Sequence, residues 1–255
     1  MNKNRLAVII FISLFLASFR NHPTAIPFNT PMMFKEYASH FYSQLHDQDL
    51  NISAFEYGLK GFLKLQDEGK INNNRFLTII DMSVSANENR FFVIDVADQK
   101  IVHKSKVAHG KNSGLEYASK FSNQISSNQT SLGFYKTGEL YNGKHGLSLR
   151  LDGLEAANSN ARARAVVIHS ADYVSEMFLK KNGRLGRSLG CPALPSEGYQ
   201  DIVSKIKEGS LLFIYHPTKS YLNSSKLIKS SIDALTQRPA FRLVWSENPY
   251  RTCDF

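Results

Sequence analysis

A mainly β domain with flanking helices, closed as a sandwich or barrel and preceded by a small helical lobe, is the fold class that three observations predict. Near residue 76 the sequence changes texture, from apolar residues spaced three and four apart to short β-rich runs. Those runs follow one another too closely for the repeated crossover helices that a parallel sheet needs. Ala97-Asp98-Gln99-Lys100 links two of them as a hairpin turn would. A mostly antiparallel sheet follows.

Taken in order, Lys3 and Arg5 precede an apolar run over residues 6–19 that ends at Arg20. This is the layout of a secretory signal peptide, assigned to residues 1–25, with Ala17, Ser18 or Ala25 as the small residues near a cleavage point. The run is shorter than the about 20 apolar residues of a membrane span. Left uncleaved, it would associate the protein with the inner membrane. Residues 26–75 form the helical lobe. Phe34, Tyr37, Ala38, Phe41, Tyr42 and Leu45 fall on one helical face. A second helix starts at Ser53, whose capping-box partner is Glu56. It carries Phe55, Leu59, Phe62 and Leu63 on one face and stops near Gly69.

The β domain spans residues 76–218, with strands expected at 76–81, 90–96, 101–108, 131–135, 146–151, 164–169 and 210–215. Two short helices interrupt it. One covers about 173–181, capped by Asp172 and stopped near Gly183, and the other follows Ser196. The tail, residues 219–255, mixes apolar and basic residues without a period, and the sequence assigns it no role.

A hydrophobic content of 42% supports a packed core. The net charge of +9, from 31 Lys plus Arg against 22 Asp plus Glu, is scattered rather than clustered. Such a surface suits an anionic neighbour. Nucleic acid is not the expected partner, because basic clusters interleaved with aromatics are missing from the sequence. The two cysteines, Cys191 and Cys253, would ordinarily read as a disulfide in an exported chain. Against that reading, Cys253 lies two residues from the terminus and Cys191 sits in a glycine- and proline-bracketed loop shaped for exposure. Cys191 is read as a free thiol.

The chemistry concentrates in residues 165–195, where a β-branched strand ends on His169 and a glycine-punctuated loop delivers Cys191. A thiol becomes a strong nucleophile when a neighbouring imidazole or cation raises its thiolate fraction. His169 is the candidate base, and Arg184 and Arg187 are candidate cations. Gly190 lets the backbone turn so that amides of Cys191 and the preceding Ser188 and Leu189 face a developing oxyanion. Pro192 has no N–H to offer. A lone buried cysteine and a strand-end histidine would be the plainer account. His103, His109, His145, His169 and Cys191 follow no zinc spacing, so no metal or other cofactor is expected.

Ser188-Leu189-Gly190-Cys191, preceded by strand-borne Ile168-His169-Ser170, resembles the catalytic segment of the L,D-transpeptidase family, the YkuD-like fold. The segments VAHGKNSG at 107–114 and SLGFYKTGELYNGKHGLSLRLDGLE at 131–155 occur in the order seen in its divergent murein L,D-transpeptidase catalytic domain branch. The resemblance covers about residues 76–217. It departs at Leu189, where better-studied members carry His, at Pro192-Ala193, where they carry Arg or Asn, and at Ser170, where they often carry Gly.

The resemblance implies a periplasmic or wall-associated enzyme acting on peptidoglycan stem peptides. Cys191 would form a thioester with loss of the terminal D-Ala, and an amine acceptor would resolve it to a cross-link. Resolution by water would make the protein an L,D-carboxypeptidase. A different secreted cysteine peptidase and a non-catalytic wall-binding protein are the rival classes. Tyr135, Lys144 and His145, together with Arg184, Arg187 and Ser170, are the candidate substrate-binding residues.

Overall fold

The computed structural model describes residues 30–231, with side chains from residue 34 onward; the expected signal segment and Cys253 lie outside them. Six helices and eight strands are described. They are α1 (Thr30–Gln44), α2 (Ile52–Asp67), β1 (Phe76–Asp81), β2 (Phe91–Asp95), β3 (Lys100–Ser105), β4 (Gly133–Gly143), β5 (Gly146–Gly153), β6 (Val167–Ser170), α3 (Glu176–Asn182), β7 (Ala193–Leu194), α4 (Tyr199–Ile206), β8 (Leu211–Tyr215), α5 (Lys219–Ser224) and α6 (Lys226–Lys229).

The strands form one sheet in the order β3-β2-β1-β8-β4-β5-β6-β7. Most neighbours are antiparallel, as the hairpin turn between β2 and β3 predicts, while β1 with β8 and β6 with β7 run parallel. The two ends of this order approach each other. Just beyond β3, Ala108 bridges Ala193 of β7, with Ala108 N–H donating to Ala193 O at 2.9 Å, and the sheet nearly closes into a barrel.

The helices settle on this sheet through their apolar faces. Phe41 of α1 meets Phe55 of α2 edge-on at 5.2 Å, and Phe55, Leu59 and Phe62 are fully buried in a core continuous with β1, β4 and β8. Gly61 lets α2 lie flush, since a Cβ there would stand 2.2 Å from the Phe134 ring, which stacks on Phe213 at 4.2 Å. The cap of α2 is Asn51, whose side chain accepts from Ser53 and Ala54 N–H, so Ser53 is inside the helix. Likewise α3 is capped by Ser175 rather than Asp172, whose carbonyl instead accepts the Ser175 hydroxyl, and it stops at Gly183 in the left-handed region.

Strand β4 runs eight residues beyond the expected 131–135 stretch, with an irregularity between Thr137 and Leu140. Its far half is polar and half-exposed, and pairing with β5 rather than burial makes it a strand. Strand β6 begins later than expected because residues up to Ala165, itself at φ +52, form turns. At the tail, α5 and α6 dock onto the rest. Lys60 Nζ donates to Ile228 O at 2.7 Å, and Glu155 accepts from Tyr221 and Ser225 hydroxyls and from Phe134 N–H.

Candidate active site

The pleat of β6 sends alternate side chains to opposite faces. Ile168 enters the main core, so Val167 and His169 face the other way. Parallel pairing sets His169 against Ala193, which brings Cys191, two residues earlier, level with Val167. Accordingly Val167 N–H donates to Cys191 Sγ at 3.5 Å, and the thiol donates to Ala165 O at 3.7 Å.

His169 is buried, and its Nδ1 lies 2.9 Å from Ser170 O. A carbonyl only accepts, so Nδ1 carries the proton and Nε2 keeps its lone pair. The ring of His145, from the β4–β5 turn, stacks on His169 at 4.5 Å and 23°. No hydrogen bond joins Cys191 to His169 among the described residues. Burial pushes the Cys191 thiol up, opposed by the Val167 N–H and the positive charge of Arg164. Burial also pushes His169 below the ordinary imidazole value, with His145 adding to the effect and the Ser170 carbonyl opposing it. Both shifts favour a neutral thiol beside a neutral imidazole.

The Cys191 loop is held from two sides. Ser188 Oγ accepts from Gly190 N–H at 3.0 Å and donates to Cys191 O at 2.6 Å, closing the turn. Gly190 has φ +127, and a Cβ there would stand 2.9 Å from Gln129 O. On the other side, residues 109–114 brace the loop. Ser188 N–H donates to His109 O, Lys111 N–H donates to Ser188 O, and Arg187 Nη1 donates to the carbonyls of Lys111 and Gly114. Thr130 Oγ1 accepts from Gly110 N–H at 3.0 Å and donates to Gly190 O at 3.4 Å. Ser188 N–H and Gly190 N–H are taken by His109 O and Ser188 Oγ, which leaves the amides of Leu189 and Cys191 without a hydrogen bond among the described residues. Ser188→Ala removes both turn-closing bonds, each worth about 1 kcal/mol. It is expected to lower the rate of acylation at Cys191 roughly 10- to 100-fold, measured by time-resolved intact mass, and the melting temperature by about 4–8 °C.

The other candidates divide. His145 and the carbonyl of Ser170 are brought to His169, and Leu189 projects from the loop at 66% exposure. Lys144 sits exposed at the tip of the β4–β5 turn. Tyr135, expected in the cleft, is fully buried with its hydroxyl on Ser131 O, because it lies on the core face of β4. Arg184 and Arg187, expected as cations beside the thiol, donate to backbone carbonyls instead, Arg184 Nη1 to Leu185 O at 3.0 Å. The cation near Cys191 is Arg164, which sequence reasoning passed over as the first residue of a strand. Its signal was weak: an arginine just before the strand that carries His169. His109 is fully buried behind the loop, its Nδ1 accepting from Arg90 at 2.8 Å; burial and that guanidinium hold it neutral, with a pKa lowered to about 4. Among the described residues no three His, Cys, Asp or Glu side chains gather as metal ligands.

A family model described as the L,D-transpeptidase catalytic domain matches residues 46–215. None of the curated proteins compared with the sequence matches it. Among solved structures, the chain is similar to an L,D-transpeptidase from Mycobacterium smegmatis, at 15% identity and a TM-score of 0.35, covering 56% of this chain and 59% of that one. An L,D-transpeptidase from Mycobacterium tuberculosis H37Rv matches at 14% identity and a TM-score of 0.37, covering 56% and 58%. L,D-transpeptidase 3 from Mycobacterium tuberculosis, in complex with a faropenem-derived adduct, matches at 13% and 0.37, covering 56% and 60%. The chain thus spans about three-fifths of the length of these structures.

Proposed function

The chain belongs to the L,D-transpeptidase catalytic domain family, and from that premise we propose that it is an exported cysteine acyltransferase acting on peptidoglycan stem peptides, with Cys191 as nucleophile and His169 as base. One observation carries the assignment of roles. It is that Cys191 Sγ lies against Val167 N–H on the strand that carries His169, whose Nδ1 is committed to Ser170 O with Nε2 left as the acceptor.

The reaction follows from that arrangement. The sulfur turns from Ala165 O, gives its proton to His169 Nε2 and attacks the carbonyl of the third stem residue. Cys191 N–H stabilises the oxyanion. Collapse breaks the peptide bond, and His169 returns the proton to the departing amine of D-Ala. A thioester remains on Cys191. An amine of a second stem then attacks it, losing a proton to His169 as the thiol is released and the cross-link forms. Neutral resting groups make this a general-base mechanism, in which the thiolate forms as the substrate arrives.

The apolar run near the N-terminus and the basic charge support action outside the cytoplasm, at the periplasmic face of the wall. No helix among the described residues is long and apolar enough to cross a membrane. Incubating the protein with tetrapeptide stems and an acceptor stem, then separating dimers from tripeptides by mass, tests the proposal. Dimers are the expected product. Tripeptides alone would make the protein an L,D-carboxypeptidase, and unchanged tetrapeptides together with no covalent carbapenem adduct would overturn the reading.

A further inference from the structure

Around the Cys191 loop, Arg164, Arg184 and Arg187 all donate to neutral acceptors among the described residues, and of the three only Arg164 has its charge felt at the Cys191 thiol. Arg164 makes four hydrogen bonds: Nη1 to Ser122 O at 2.9 Å and Ser131 Oγ at 2.5 Å, Nη2 to Ser127 Oγ at 3.2 Å and Gln129 O at 2.6 Å. All four acceptors are neutral. Arg162, two residues earlier, is by contrast neutralised by Asp152 and Glu139. A half-buried guanidinium held on neutral dipoles keeps its charge uncancelled by any ion pair.

We propose that Arg164 is the positioning residue of the nucleophile, clamping residues 122–131 against Gly190 and setting a fixed positive charge beside Cys191. The inference rests on the reading of Cys191 as nucleophile and deepens it. The contact is direct at the loop. A Cβ on Gly190 would stand 3.2 Å from Arg164 Nη2 and 2.9 Å from Gln129 O, the carbonyl that Arg164 holds. That carbonyl, with Thr130 bonded to Gly190 O, forms the wall on which the turn before Cys191 rests. The next residue, Ala165, is in the left-handed region at φ +52, and its carbonyl receives the thiol. Residues 164 and 165 therefore set both the charge near the sulfur and the direction in which its proton points.

The remaining titratable groups around Cys191 do not supply that charge. Tyr135 of β4 and Tyr173 after β6 both sense the thiol, and burial pushes both phenols up, Tyr173 to about 12, so they stay neutral. Burial holds His169 of β6 neutral until it accepts the thiol proton. A thiolate formed in the reaction therefore has Arg164 as its standing cationic neighbour.

The test follows iodoacetamide alkylation of Cys191 against pH, read on the Cys191 peptide by mass so that Cys253 does not contribute, in the wild type, Arg164→Gln and Arg164→Lys. In Arg164→Gln the alkylation midpoint is expected to rise by about one pH unit, the effect of losing a cation that favours the thiolate. Arg164→Lys keeps the charge but lacks the planar fork. It is expected to hold the midpoint near the wild-type value while acyl transfer falls at least tenfold. An unmoved midpoint in folded Arg164→Gln overturns the charge. Full activity in Arg164→Lys overturns the clamp, and this arm decides the matter should the glutamine variant not fold. The alkylation midpoints need no stem peptide, so they stand apart from the parent reading, which fails if Cys191→Ala retains acyl transfer.

Discussion

Cys191→Ala is expected to lower D-Ala release from tetrapeptide stems by a factor on the order of 10⁴ or more and to abolish covalent carbapenem capture. Alanine keeps the loop, since the bonds that close the turn run from Ser188 to Gly190 N–H and Cys191 O, none of which needs the sulfur. The fold should therefore persist, with the same circular dichroism and melting temperature. Removing a nucleophile that acts with its base as a unit costs nearly the whole chemical contribution of the pair. Activity within tenfold of the wild type would exclude Cys191 as the nucleophile. Cys253→Ser is expected to change nothing in the same assay.

The second large effect belongs to the base. His169→Gln is expected to cost roughly 10³-fold in acylation rate, within the range for loss of a general base. The pH profile gives the sharper signature. His169 acts as base in its neutral form, and burial lowers its pKa, so activity should persist below pH ~6.5 and fall only as pH drops through the lowered value. His145→Ala removes a neighbour that disfavours the imidazolium and admits water to the ring. Both changes raise the His169 pKa, so the acid limb of acylation rate against pH should move upward. A limb that stays in place in His145→Ala would show that the stack does not tune the base.

How far the site was legible depends on whether its determinants are local. The strand ending at His169 and the turn at Gly190 are written within one segment, and the resemblance rests on the same residues, whereas the exposure expected of the Cys191 loop holds only at Leu189, because the braces bury Ser188 and Gly190 and leave Cys191 half-buried. The mostly antiparallel sheet was legible for the same reason, through β-rich runs and a four-residue link. The departures come from choices between near neighbours or from distant partners. Asn51 and Ser175 capped their helices where Ser53 and Asp172 were equally able side-chain acceptors by composition, and the backbone decided. The outer half of β4 lacks the alternation of a half-buried strand because it is stabilised by its partner strand. Arg164 and Arg187 could not be told apart by sequence. Their roles depend on carbonyls at residues 111–114 and 122–129, which only the folded chain brings near. Tyr135 read as a cleft residue because a tyrosine beside glycines is ambiguous until its strand face is known.

The bridge between Ala108 and Ala193 joins parts of the chain that are far apart in sequence, and the braces at residues 109–114 and 127–131 share that property. Contacts of that kind must overcome a large loop entropy and tend to come late in folding. The order of assembly therefore has a chemical meaning. Val167 N–H and Arg164 come from the segment just before the loop and can reach Cys191 early, whereas the braces from residues 109–114 wait for the seam to shut. Until then the turn before Cys191 is closed by Ser188 but unsupported from behind, and its final shape is set from the far end of the sheet.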